Sequence, residues 1–188
     1  MDRREFVKAA FALAGTLGLS QVAKAGTEAE KRFIGHLVAR ANPGDLQILQ
    51  TALGAEYKAI YAYTAALDSG LLKGEGKELS KLFRSSHQGH AETLTGAIKS
   101  LGGTPQKEQP KYDLGVKLAT PSQIAKFAYS LERGAAQAYM NAIGSLENDK
   151  LKDAAAMILA DEVVHATTWY KILGHHPLSG YNQLPAKL

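Results

Sequence analysis

The chain is 188 residues long, 45% hydrophobic and 21% charged, with a formal net charge of +4 and no cysteine. That length fits one domain with one sizeable core, and the lack of thiols excludes disulfides and thiolate metal sites. The first 25 residues hold Arg3, Arg4, Lys8 and Lys24 against Asp2 and Glu5, which leaves the remainder nearly balanced; no Arg/Lys cluster interleaves with aromatics, so no nucleic-acid partner is expected.

The N-terminal stretch MDRREFVKAAFALAGTLGLSQVAKA has three parts: paired Arg3-Arg4, an apolar run from Ala9 to Leu19, and a small-x-small pattern at Ala23-Lys24-Ala25. This is the layout of a signal peptide, with cleavage expected after Ala25. The apolar run is too short to span a bilayer comfortably. DRREFVK closely resembles the twin-arginine export consensus of bacteria. That resemblance implies the twin-arginine export machinery as a partner, a periplasmic or otherwise extracytoplasmic location, and no stable membrane span after cleavage. An uncleaved signal acting as an anchor, or an amphipathic helix with two incidental arginines, are the alternatives.

Residues 26–41 form an N-terminal extension in which a short helix over 27–40 is expected. Four long helices follow. The first runs from about Pro43 to Ser69, with Asn42 as its cap and Pro43 at the first helical position. The second runs from about Glu75 to Leu101 and stops at Gly102-Gly103. The third starts at Thr120-Pro121-Ser122-Gln123, where Thr120 caps and Gln123 completes a capping box, and it ends near Leu146. The fourth runs from about Asp149 to Leu173, capped by Asn148 and stopped by Gly174. Residues 42–174 therefore make an all-α bundle, and 175–188 an irregular tail in which His175-His176 reads as solvated. Two connections are short and give antiparallel hairpins. The middle one, GGTPQKEQPKYDLGVKLAT, is long enough to cross the whole bundle, which is the ferritin-like arrangement of two hairpins and one crossover.

Each helix carries a stripe at alternating steps of three and four. The first shows Leu46, Leu49, Leu53, Glu56, Ile60, Tyr63 and Leu67. The second shows Phe83, His87, His90, Leu94, Ala97 and Leu101. The third shows Ala125, Ala128, Glu132, Ala135, Tyr139, Ala142 and Leu146; a competing stripe through Ile124, Phe127, Leu131 and Ala138 leaves room for Glu132 at the seam's edge. The fourth shows Leu151, Ala155, Ile158, Glu162, His165, Trp169 and Ile172. The polar members all fall near mid-helix. Glu56, His87, His90, Glu132, Glu162 and His165 are thus expected at one level of the bundle. Glu92 lies off the stripe and reads as solvated.

Burying an ionised carboxylate costs several kcal/mol, and three together repel one another. Protons or one or two divalent cations relieve that cost. Imidazole nitrogen suits Fe, Mn, Zn and Cu, and the i, i+3 pair Glu162 and His165 presents both side chains on one face. The plainer readings are a hydrogen-bonded Glu162–His165 pair at the bundle edge and a Glu56 bonded to a buried tyrosine or histidine. Tyr57, Tyr61 and Tyr139 lie near the same level, with packing as the ordinary reading for each and a redox role as the remote one.

The Glu-x-x-His of the fourth helix, the lone glutamates of the first and third, and the long crossover resemble the ferritin-like superfamily of di-iron carboxylate proteins. SSHQGHAETLTGAIKSLGGTP and the stretches around SLERGAAQAYMNAI and AAAMILADEVVHATTW resemble secreted bacterial ferritin-like-domain proteins, over roughly residues 40–175. The resemblance implies iron, as one or two ions, with the six residues as ligands. His87 departs from it, standing where a metal-bridging glutamate is expected. Fewer negative charges and a monodentate ring in place of a bridging carboxylate argue for one metal, an asymmetric pair, or a nitrogen-rich preference such as Zn or Cu; Mn is also open. Three functions follow from this. One is a ferritin-like metalloprotein that oxidises Fe(II) or consumes peroxide or oxygen. The others are a non-catalytic stress or scaffold module and a metal buffer or carrier. A homo-oligomer is compatible with all three, whereas a 24-subunit storage shell does not follow from the resemblance.

Overall fold

The computed structural model describes residues 43–175. The stretches read as a signal peptide over 1–25, an extension over 26–41, the Asn42 cap and a tail from His176 lie outside the described residues. The described part has four helices: α1 Pro43–Asp68, α2 Gly74–Ser100, α3 Pro121–Ser145 and α4 Asp149–Ile172. Every boundary falls within one residue of the sequence expectation.

The caps explain where the helices start and stop. Thr120 Oγ1 accepts from the Gln123 amide at 3.2 Å, as expected. The reciprocal bond is displaced by one residue, because Gln123 Oε1 accepts from the Ala119 amide. Asn148 Oδ1 accepts from the Lys150 amide and starts α4. After α2, Gly102 takes a left-handed φ of 78°, and its amide and that of Gly103 return to the carbonyls of Lys99 and Ile98. Gly103 is closely packed, since a Cβ there would lie 2.7 Å from Leu46 Cδ2 and 3.2 Å from the Ile98 carbonyl oxygen, and Leu46 would have to shift.

The crossover over 101–120 runs the length of α1. Gln106 bonds Gln50 near the start of α1, Tyr112 packs on Tyr61 with ring centroids 5.6 Å apart, and Leu118 joins Ala66 and Leu72 at the far end. α3 therefore starts beside the end of α1 and runs antiparallel to it. α1 pairs closely with α2, and α3 with α4. Among the described residues no helix is long and apolar enough to cross a membrane.

Two apolar clusters fill the bundle on either side of its middle. One contains Leu53, Leu94, Tyr139 and Ile158; the other contains Tyr63, Phe83, Ala128 and Trp169. On all four helices the polar seam residues lie between the positions that supply these clusters. Burying each large apolar side chain stabilises the bundle by roughly 1.5–3 kcal/mol. The chain forgoes that gain at six mid-helix positions.

Candidate metal centre

The structure brings all six predicted residues together, each between 0% and 7% exposed. Glu132 is fully buried, so its stripe faces the seam and the edge placement does not occur. The six side chains form two overlapping groups, in each of which the candidate ligand atoms lie within 4.8 Å of one another. One group is Glu56, His87, His90 and Glu162; the other is His87, Glu132, Glu162 and His165. His87 and Glu162 belong to both.

The shared residues divide their atoms between the groups. Glu162 Oε1 lies 3.1 Å from His90 Nδ1, and Oε2 lies 3.8 Å from His165 Nδ1. His87 Nδ1 lies 2.7 Å from Glu56 Oε2, and its Nε2 lies 3.3 Å from Glu132 Oε1. The residue that breaks the expected pattern thus stands between the two groups with one ring nitrogen toward each.

A surrounding layer of partners holds these groups in place. Tyr139 donates to Glu56 Oε1 at 2.5 Å. Tyr63 donates to Glu132 Oε1 and accepts from Trp169 Nε1 at 2.7 Å. His90 Nε2 lies 3.3 Å from Asp161 Oδ2, which turns Nδ1 inward. Histidines that bind metals commonly use the outer ring nitrogen in this way. The plainer reading of Glu56 also holds, since it bonds both a buried tyrosine and a histidine. Tyr57 and Tyr61 lie elsewhere: Tyr57 packs against the first apolar cluster, and Tyr61 against Tyr112. Sequence reasoning passed over Tyr63, Trp169 and Asp161 as site partners. Tyr63 and Trp169 were visible as polar-tipped members of the stripes, whereas Asp161 carried no signal beyond its place next to Glu162. Glu92 and His175 are exposed, as read.

Without a cation, protons hold the cluster together. Burial pushes the Glu56 carboxyl up, but the hydrogen bond with His87 and the nearby His90 ring outweigh it and bring the pKa down to about 2. Burial likewise opposes ionisation of Glu132, yet His165 and His87 hold it well below the usual carboxylate range. For Glu162 burial prevails over the nearby histidines and its pKa rises. Burial disfavours the charged rings too, but the facing carboxylates raise His87 and His165 and take His90 up to about 10. Burial and the adjacent carboxylates push the Tyr63 and Tyr139 hydroxyls up, so both remain donors.

Protons leave part of the cluster unpaired. Glu162 Oε1, Glu162 Oε2 and His90 Nδ1 are buried and have no hydrogen-bond partner. The 3.1 Å approach of His90 to Glu162 brings two atoms close without aligning them for a bond. Buried polar atoms are almost always paired, and an orphaned set calls for an ion or water. Two carboxylate oxygens and one imidazole nitrogen suit a divalent transition metal, so the residues present fit a metal. A groove of about 580 Å³ between α1 and α3, walled by Ala52, Ala55, Ala135 and Ala138, has Glu56 and His87 at its floor and offers a way in.

A family model described as Ferritin-like domain matches residues 44–175. Among solved structures, the chain is similar to a conserved hypothetical protein, rv2844, from Mycobacterium tuberculosis, at 23% identity and a TM-score of 0.65 over 71% of this chain and 93% of that one. It is also similar to a dodecameric thioferritin, the bacterioferritin-related protein from Bacteroides fragilis, at 20% identity and a TM-score of 0.65 over 82% of this chain and 99% of that one. These likenesses support the bundle fold. No curated protein matches the chain.

Proposed function

The chain belongs to the ferritin-like domain family, and from that premise we propose that it is a metalloprotein holding iron or another divalent metal at its waist. The observation that carries this reading is the orphaned set of Glu162 Oε1, Glu162 Oε2 and His90 Nδ1 in a buried cluster of three carboxylates and three imidazoles. Glu56, His90 and Glu162, with His87, would hold an ion on one side; Glu132, His165 and Glu162 offer a second place. A redox metal there supplies one-electron chemistry toward Fe(II), peroxide or oxygen, and on that basis we propose a ferroxidase-like or peroxide- or oxygen-consuming activity. The chain's own residues provide the setting. The carboxylates offset the charge of the ion, Tyr139 and Tyr63 hold Glu56 and Glu132 in position, and Asp161 aims His90. The apolar clusters lie above and below the site.

His87 favours a second reading, a metal buffer or carrier, because it removes a negative charge from the place where the family resemblance expects a bridging carboxylate. One experiment separates the two. Elemental analysis of natively produced protein, never exposed to chelator or nickel resin, reports occupancy; oxygen uptake on adding Fe(II) reports turnover. Bound metal with oxygen uptake supports the catalytic reading. Bound metal without uptake supports the buffer. Protein without metal, and with an unchanged melting temperature in Fe(II), Mn(II) and Zn(II), contradicts both and leaves a non-catalytic helical module.

Export is proposed on the N-terminal sequence alone. Cell fractionation of the full chain against an Arg3→Lys, Arg4→Lys variant tests it, with the variant expected to stay in the cytoplasm. The thioferritin relative is described as dodecameric, and self-association of this chain is proposed by analogy, to be read by light scattering.

A further inference from the structure

We infer that His87 splits the centre into two unequal ion sites, and that the Glu56 side fills first. The inference rests on the metal-binding reading above and adds its stoichiometry and order. Two side chains are common to both candidate groups, Glu162 and His87. They differ in what they can share. A carboxylate presents lone pairs on both oxygens in a single charge state, so Glu162 can serve His90's side through Oε1 and His165's side through Oε2. A neutral imidazole has one lone pair, and its other nitrogen carries hydrogen. An ion that takes His87 Nδ1 therefore leaves an N–H on Nε2, facing the second group and 3.3 Å from Glu132 Oε1. That hydrogen can stay bonded to Glu132. It also denies the second ion a ligand. The neutral ring completes one site and leaves the other short.

The hydrogen bonds say which side is favoured. On the Glu56 side, His90 Nδ1 and Glu162 Oε1 are buried without partners, and Asp161 already engages the outer nitrogen of His90. An ion there satisfies atoms that nothing else satisfies. On the other side only Glu162 Oε2 is orphaned, and where Glu56 has two hydrogen-bond partners, Tyr139 and His87, Glu132 has three. Its Oε1 accepts from Tyr63 and faces His87 Nε2, and its Oε2 lies 3.3 Å from His165 Nδ1. An ion on either side displaces bonds that protein groups make now, but the Glu132 side has more of them to displace and fewer orphaned atoms to satisfy. The first site thus comprises two carboxylates and two imidazoles, a mixed oxygen and nitrogen set suited to one divalent transition ion.

Co(II) tests this without relying on turnover, because its visible absorption reports the coordination sphere. The full chain, stripped of metal, is titrated anaerobically by calorimetry and absorption. Two steps are expected, separated on the order of tenfold or more in dissociation constant, as loss of one supporting group commonly produces. His90→Ala should remove the tight step. His165→Ala should keep it and remove the weak one. His87→Glu, which restores a carboxylate able to serve both sides, should draw the two steps together. A single step admitting two equivalent ions to the wild-type protein overturns the inference, as does a His165→Ala variant that loses the tight ion while His90→Ala keeps it. The wild-type titration and the two histidine variants decide the matter even if His87→Glu fails to fold. Failure of the wild-type protein to bind any Co(II) is a different result, and it sinks the metal-binding reading itself.

Discussion

Two buried acids in this bundle make opposite use of burial. Asp45, near the start of α1, is 1% exposed and accepts from the backbone amides of Glu147 and Asn148 at 2.9 and 3.2 Å. It ties α1 to the turn between α3 and α4, and both of its oxygens are used. Glu162, at the middle of α4, is just as buried, yet neither oxygen has a hydrogen-bond partner. Burial therefore does not mark a ligand. What sets Glu162 apart is capacity left over after the protein's own bonds are counted, because an unpaired buried carboxylate persists only if something outside the chain offsets its cost.

Substitution at each acid sharpens the contrast. Glu162→Met should lower divalent-ion affinity by at least about a hundredfold, beyond the range seen for loss of outer-layer groups. It should also stabilise the metal-free protein by about 1–4 kcal/mol, as replacement of buried charge by apolar volume often does. Calorimetric unfolding and ion titration read both, and a fall in metal-free stability would mean that Glu162 is bonded after all. Asp45→Ala should do the reverse. It strands two amides and costs about 1–3 kcal/mol by denaturant titration, with ion affinity unchanged. Asp161→Asn comes next, with ion affinity down about 10–100-fold and unfolding nearly unaffected, since the residue acts through the orientation of His90.

The smallest effect is a pH dependence of the metal-free protein. Glu56 is depressed from an ordinary 4.5 to about 2, so its contribution is present above 4.5 and lost as pH falls through 2. His90 is raised from 6.5 to about 10, so its contribution is full below 6.5 and lost as pH rises through 10. The metal-free chain should be most stable between pH 4.5 and 6.5. Ion affinity should instead strengthen above that window, because an ion must displace the histidine protons. Melting temperatures across pH, with chelator and with Zn(II), should separate the two trends.

Much of this was legible in the sequence. The steps of three and four gave the helices, and mid-helix depth put Glu56, His87, His90, Glu132, Glu162 and His165 at one level. The length of the crossover gave the topology. Periodicity gives a residue's face but not its partners, and the misses follow from that. Tyr63 and Trp169 looked like core residues because a stripe records burial and not where a hydroxyl or indole N–H points. Asp45 and Asp161 sit at positions where any acid is unremarkable; the first gains meaning only when the α3–α4 turn arrives beside it, and the second only when α2 brings His90 within reach. The role of His87 needed coordinates as well, because the spacing could not say that its two nitrogens would face two different carboxylates.

The most direct measurement is an anomalous difference map from crystals of the full chain grown with Zn(II) or Mn(II). The account predicts a peak at the waist among Glu56, His90 and Glu162, about 2.0–2.2 Å from the ligating oxygen and nitrogen atoms if the ion is zinc. A waist without a peak, in which Glu162 is bonded to ordered water or to its neighbours, would contradict it.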